Sequence, residues 1–166
     1  MIAISLKNIP LFMKKLLLQS DFDSFSVSEA EIVTFAAFSI DGTLRPDYYP
    51  PEKAAELRGG RRRQALWSEI RPFCLSLIRG QQPPLSFRVI FAAPEEEILR
   101  ILQENDSAIA PEDIYGLYMN VQYKNDTLTV TTGTSLRIFS ADRSLDKAWD
   151  KTVLDFLEKR ELYQSE

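Results

Sequence analysis

Two β-forming runs on either side of Asn125-Asp126 constrain the fold of this 166-residue chain more than any other feature. Apolar side chains occupy every second position from Leu117 to Tyr123, and a second run begins at Thr127. A two-residue Asn-Asp connection between such runs is typical of a β-hairpin. Hairpins dominate the whole pattern, and no crossover between parallel strands is obvious. The sequence therefore predicts a mainly antiparallel sheet.

A second hairpin is predicted at Asp41-Gly42, with Thr43–Tyr48 returning antiparallel. The run before it, Phe25–Ile40, is rich in β-formers and aromatic residues. From Ile32 to Ile40 both alternating sets are largely apolar, which predicts a strand covered on both faces. Two further strands are predicted at Ile2–Leu6 and Leu85–Phe91.

Amphipathic spacing predicts four helices, near residues 8–19, 68–79, 95–104 and 143–160. We therefore expect one α+β domain, residues 1–166, with helices packed on one face of the sheet. Ile9, Phe12, Met13, Leu16 and Leu17 on the first helix are echoed 61 residues later on the second. The echo raises the hypothesis of two β-α-β-β halves, against the alternative that any two amphipathic helices share this spacing.

Two compositional features limit the chemistry. The chain has no histidine and a single cysteine, Cys74, which removes the commonest general base, most zinc sites and any intrachain disulfide. No segment reads as a signal peptide or a membrane span. We expect a cytoplasmic protein that contacts no membrane and carries no metal or cofactor. The net charge of −4 argues against a generally basic nucleic-acid binder.

The segment Asp41-Gly-Thr-Leu44 resembles part of the first motif of haloacid-dehalogenase-like phosphatases. That motif has its nucleophilic Asp two residues before the second Asp, and Ser39 occupies this position here. Serine does not form the aspartyl-phosphate of that family. We therefore interpret the segment as a turn.

A run of arginines follows Pro50-Pro51. It contains Arg58, Arg61, Arg62 and Arg63 around two glycines, and we expect a mobile loop with a short helical turn near Glu52–Leu57. Guanidinium groups here are candidates for binding phosphate or nucleic acid. The alternative is a solvated charge run.

Taken whole, the chain resembles a family of uncharacterised bacterial proteins of about this length. The resemblance lies in Phe12–Leu18, Leu66–Cys74, Thr131–Ser135 and Ala148–Asp150, and the run Trp-Ser-Glu-x-Arg-Pro-Phe is quite specific. The resemblance extends from Met1 to about Phe156. Because no function is assigned to that family, the resemblance implies one domain and no active residues.

The element order is also similar to that of a DNA sliding-clamp domain, in which paired helices present basic side chains to the duplex. That resemblance implies a binding role for Lys14, Lys15, Arg71 and Arg79. The helices that start near Pro94 and Leu145 depart from the clamp plan.

Leu11 and Leu18 lie off the predicted core stripe of the first helix, which makes them candidate interface residues. We expect a non-enzymatic protein that binds a macromolecule, either a protein partner or a second copy of itself. One alternative is a clamp-like domain that binds nucleic acid. Another is an enzyme that uses Asp41, Asp47 and Glu69, which would need to meet in one pocket.

Overall fold

The structure, a computed structural model, describes residues 1–80 and 82–166. Within them the chain forms six strands and five helices. The strands are β1 (Ala3–Leu6), β2 (Ser26–Val33), β3 (Ala37–Asp41), β4 (Ser86–Ala92), β5 (Ile114–Lys124) and β6 (Thr127–Leu136). The helices are α1 (Ile9–Leu17), α2 (Pro51–Gly59), α3 (Trp67–Ile78), α4 (Glu95–Glu104) and α5 (Ser144–Lys159).

The strands form one sheet in the order β1-β6-β5-β4-β2-β3, and every neighbouring pair is antiparallel. The predicted hairpin at Asn125-Asp126 is confirmed. Both residues adopt left-handed backbone conformations, with φ of 52° and 56°, which Asn and Asp tolerate better than most side chains. The α+β class and the antiparallel sheet are therefore as the sequence predicts.

Four helices contribute to the hydrophobic core on one face of the sheet, and their bounds agree with the predicted ones within two residues. The buried indoles of Trp67 and Trp149 form hydrogen bonds that link α3 to α1 and α5 to β5. The Trp67 N–H donates to the Leu16 carbonyl at 2.7 Å, and the Trp149 N–H donates to the Tyr118 carbonyl at 2.8 Å. In the predicted echo, the residue 61 positions after Phe12 on the core face is Phe73, but Phe73 is 66% exposed. Its position therefore weakens the echo between the first and third helices.

The opposite face of the sheet carries polar side chains in cross-strand rows. Thr129 lies opposite Gln122, and Thr131 lies opposite Asn120. A sheet with one face on the core and one in water produces this alternation. The helix-covered face and the polar face thus have different chemistry along every central strand.

The predicted turn at Asp41-Gly42 is wrong as a hairpin. The chain reverses earlier, at 34–36, where the Thr34 amide donates to the Ala36 carbonyl at 3.0 Å. The prediction of a strand covered on both faces is also wrong, because Ala37, Ser39 and Asp41 of β3 share one face and are exposed. After Asp41 the chain leaves β2 and pairs instead with the segment 63–65, where the Leu44 amide donates to the Arg63 carbonyl at 2.9 Å.

The arginine-containing loop is more regular than predicted. Its first part is the nine-residue helix α2, which starts at Pro51, where the fixed φ of proline suits a first helical turn. Buried Ala54 and Leu57 anchor this helix, which contacts a single 3₁₀ turn at Pro46–Tyr48.

The predicted arrangement of two β-α-β-β halves needs a strand before each first helix, and the second half lacks this strand. Helix α3 is preceded by an isolated bridge between Ser26 and Leu66 rather than by a strand, and the six strands form one continuous sheet. Among the described residues, no helix has the length and apolar character that crossing a membrane requires.

Candidate functional site

An open groove of about 1120 Å³ lies at the end of the sheet where β4 finishes and β5 begins. Sheet residues that line it include Ala92 and Ala93, and Ile114 with Tyr115. The start of α4 and the arginine segment at residues 61–63 also contribute to its lining. Segments of the chain that are far apart in sequence therefore meet in this groove.

The structure brings three of the four predicted loop arginines, Arg61, Arg62 and Arg63, to this groove. The first forms an ion pair with Glu95 and the second with Glu69. Arg63 donates to backbone carbonyls of its own segment, the shorter bond being 2.6 Å. Among the described residues, Arg63 has no carboxylate partner.

A fourth arginine reaches the groove from the end of β6. The Arg137 guanidinium lies over the Tyr115 ring, 4.7 Å from its centroid, which is a cation–π distance. No carboxylate of the described chain forms an ion pair with Arg137, and Tyr115 is 61% exposed. The groove thus contains two guanidinium groups, those of Arg63 and Arg137, that form no ion pair with a carboxylate of the described residues.

Gly116 shapes the same wall. A side chain there would meet the Tyr118 ring, whose nearest atom lies 2.5 Å from the position of an added Cβ. Because Gly116 has no side chain, the Tyr118 ring can lie against the backbone of Gly116.

Acidic side chains line another part of the groove. Glu95 and Glu96 stand in the first turn of α4, and Glu112 precedes β5. Carboxylates are stabilised at a helix N-terminus by its partial positive charge. The groove is therefore mixed in charge and is not uniformly basic.

The carboxylates of the enzyme hypothesis each have a different partner. Asp41 accepts a bond of 2.8 Å from the Thr43 amide, and Asp47 pairs with Arg58. Glu69 accepts from the Leu66 amide at 2.9 Å and so stabilises the start of α3. Neither Asp41, Asp47 nor Glu69 lines the groove.

The pKa of Asp41 is lowered from its ordinary value, chiefly by the bonds that its carboxylate accepts from Thr43 and also by the charge of Arg45. A lowered pKa keeps this carboxylate ionised at neutral pH. A general acid at that pH requires the opposite shift.

The basic residues of the clamp-like hypothesis have different surroundings. Arg71 binds both carboxylate oxygens of Asp23 at 3.0 Å, and the Lys15 ammonium lies 3.9 Å from Asp21. Lys14 is exposed on α1, and Arg79 is exposed at the end of α3. The partly buried charge of Arg71 is therefore used within the fold.

The two candidate interface leucines also differ. Leu11 is partly buried and packs against the core, so its predicted position off the core stripe is wrong. Leu18 follows the last turn of α1 and is 61% exposed.

Cys74 is buried in α3. Burial raises the pKa of its thiol to about 12, because an apolar environment disfavours the thiolate. The described residues contain no cluster of three Cys, Asp or Glu side chains suited to a metal ion.

Sequence reasoning missed Tyr115 and Arg137. The register of the β5–β6 hairpin, which pairs Gly116 with Ser135 and Ile114 with Leu136, brings them together. Counting residues outward from the turn at Asn125-Asp126 would have placed the start of β5 beside the end of β6. No local motif marks either residue.

A family of unknown function, DUF5721, matches residues 15–164 of the chain. The chain belongs to this family. Membership in DUF5721 confirms the resemblance to an uncharacterised domain of about this length, and it carries no activity or site residue with it. No curated protein and no solved structure matches the chain.

Proposed function

We propose that this member of DUF5721 is a non-enzymatic protein-binding module. In this proposal the groove holds an extended segment of a protein partner, in which a carboxylate side chain lies beside an apolar or aromatic one. The observation that carries the proposal is the presence of Arg63 and Arg137 in one groove without carboxylate partners among the described residues, with the exposed Tyr115 ring beneath Arg137.

The composition of the groove favours a protein partner. Tyrosine and arginine are among the residue types that are enriched at the energetic centres of protein interfaces. Leu99, which is 40% exposed, and Ile98 add apolar surface beside them. An arginine fork binds a carboxylate through two parallel hydrogen bonds, and these apolar side chains offer contacts to the residues next to it.

The acidic part of the groove argues against a polyanion as the ligand. Glu96 and Glu112 have no ion-pair partner among the described residues, and both line the groove. A nucleic-acid backbone would bring phosphates along the whole length of the groove and meet these carboxylates. A peptide with one or two acidic residues avoids that repulsion.

The distribution of carboxylates supports a non-enzymatic function. Asp41, Asp47 and Glu69 are each bound to a nearby donor, and all three lie outside the groove lining. Reaction by general acid–base catalysis needs such groups within reach of one substrate.

Selection of random twelve-residue peptides on the wild-type chain tests the proposal. We expect the enriched peptides to share an Asp or Glu close to an aromatic or aliphatic residue. A synthetic peptide of that sequence should bind at least about tenfold more weakly to Arg63→Ala or Arg137→Ala, since a charge-assisted bond contributes about 1.5–3 kcal/mol.

Arg79→Ala is the matched control, because Arg79 is exposed and lies outside the groove. It should bind the peptide as the wild type does. The proposal is overturned if selection enriches nothing over an unrelated protein, or if the three variants bind equally well. Displacement of the peptide by duplex or single-stranded DNA at low salt would favour nucleic acid as the ligand.

A further inference from the structure

One edge of the sheet is open and chemically unprotected. Strand β3 pairs with β2 on one side and with no strand on the other. Exposed sheet edges in proteins are usually protected by lysine, proline or a bulge. The stretch Ala37–Ile40 contains none of these residues and no charge, and the strand ends at Asp41, which pairs with Arg45 at 3.1 Å.

The backbone of β3 presents donors and acceptors outward in a fixed order. The Gly42 amide donates to the Ser28 carbonyl of the β2 segment at 3.0 Å. Backbone groups of successive residues in an antiparallel strand point to alternate sides. Ile40 and Phe38 therefore face β2, whereas Ala37, Ser39 and Asp41 face outward. In the described chain, no loop or side chain forms a hydrogen bond with the outward backbone groups of these three residues.

We propose that β3 pairs antiparallel with β3 of a second copy, about a twofold axis at Ser39. In this register Ala37 lies opposite the second copy's Asp41, and the two Ser39 residues lie opposite each other. All three are outward-facing, so each pair exchanges backbone hydrogen bonds. The result is one continuous sheet built from the six strands of each copy.

Side chains fit the same register. Phe38 of one copy lies opposite Ile40 of the other, and both side chains are on the helix side of the sheet and only partly buried. Such aromatic–aliphatic cross-strand pairs stabilise a sheet. On the polar face, each Asp41 carboxylate meets Ala37 and no second carboxylate.

Neighbouring registers are worse. An axis at Asp41 would place two carboxylates opposite each other, which is destabilising. An axis at Ala37 would place the turn at 34–36 across from the end of the strand. An axis at Phe38 pairs only Ala37 with Ser39 of the other copy, and an axis at Ile40 pairs only Ser39 with Asp41. Each therefore keeps two hydrogen-bonded pairs within the strands, whereas the axis at Ser39 keeps three. The chemistry of the strand therefore selects Ser39.

The solution test is sedimentation equilibrium over a range of concentrations. A single five-residue strand gives a small interface, so we expect a micromolar dimer. Ser39→Pro should abolish the dimer, since proline removes an outward N–H that the fold itself does not use. Ser5→Pro is the matched control on β1, the strand at the other edge of the sheet. The Thr132 amide of β6 donates to the Ile2 carbonyl, so the backbone groups of Ile2 and Ile4 face β6. The backbone groups of Ser5 therefore face outward, as those of Ser39 do.

Cross-linking tests the register. Under mild oxidation Ser39→Cys should form a covalent dimer, whereas Ala37→Cys should not, because Ala37 lies opposite Asp41 and not opposite itself. The native Cys74 is buried and should not form cross-links of its own. A monomer at all concentrations overturns the proposal, as does a dimer that survives Ser39→Pro in a folded chain. Equal cross-linking of both cysteine variants also overturns it.

Discussion

Gly42 passes so close to Val27 that a side chain has no room. A Cβ added to Gly42 would lie 1.8 Å from the Val27 carbonyl oxygen. The contact occurs where β2 contains a bulge between Val27 and Glu29 and where the chain leaves the β2–β3 ladder. The atom in the way is backbone, which no rotamer change moves.

Gly42→Ala should therefore destabilise the fold by about 3 kcal/mol, because the clash requires a shift of the β2 backbone. Urea denaturation measures the loss. Gly59→Ala is the matched control, since Gly59 lies in α2 with no atom within 4 Å of its added Cβ. A similar cost for both substitutions would contradict this account.

The contact at Gly42 also explains why the first hairpin was misplaced. Asp-Gly between β-forming runs is a strong hairpin signal, whereas the true turn, Thr34-Phe-Ala36, contains none of the residues that favour turns. Glycine is required at position 42 because of its contact with the Val27 backbone, 15 residues earlier in the chain, and not because of a turn. By contrast, the hairpin at Asn125-Asp126 was predictable because its local chemistry and its alternating strands agree.

Arg71 and Asp23 form a bidentate pair that links α3 to the segment before β2, with both side chains less than a quarter exposed. We expect a double-mutant cycle with Arg71→Ala and Asp23→Ala to give a coupling of about 1–2 kcal/mol. Urea unfolding of the four proteins measures it. Lys151 and Asp155, an exposed helical pair at 3.1 Å, form the comparison cycle and should give less than about 0.5 kcal/mol. Equal couplings in the two cycles would refute the difference.

The candidate site was only partly predictable. The arginine loop is visible as a charge run, but its pairing with Glu69 and Glu95 depends on the packing of α3 and α4. Arg137 and Tyr115 meet because of hairpin register, which no composition argument provides. Sequence therefore located one wall of the groove, and tertiary structure supplied the others.

Burial of Cys74 predicts slow thiol chemistry. A pKa of about 12 against the ordinary 9.0 means about 1000-fold less thiolate at pH 8 in the folded chain. Reaction with a disulfide reagent should therefore be slow in buffer and fast in urea. Rapid reaction of the folded chain would show that the thiol is accessible.

The same shift predicts a pH dependence of stability. The pKa of Cys74 is raised in the folded chain, so the stabilisation that comes from its protonated thiol is fully present below the ordinary value of 9.0 and is lost as pH rises toward about 12. The stability difference between the wild type and Cys74→Ala, measured by urea denaturation, should shrink across that window. A constant difference would contradict the assigned burial.

Asp146 connects α5 to β6 through the Thr134 hydroxyl, which donates to its carboxylate. Burial raises the pKa of Asp146, but the bonds from Thr134 and Arg143 lower it more, so the net shift is downward. The resulting stabilisation is present above the ordinary pKa of 3.8 and is lost as pH falls through the lowered pKa of the folded chain. Thr134→Val should cost about 1–2 kcal/mol at neutral pH and less in acid. Urea denaturation from pH 7 down to about pH 2 measures the trend, with Thr129→Val on the polar face as the control. A cost that stays constant with pH would show that the bond does not depend on the charge of Asp146.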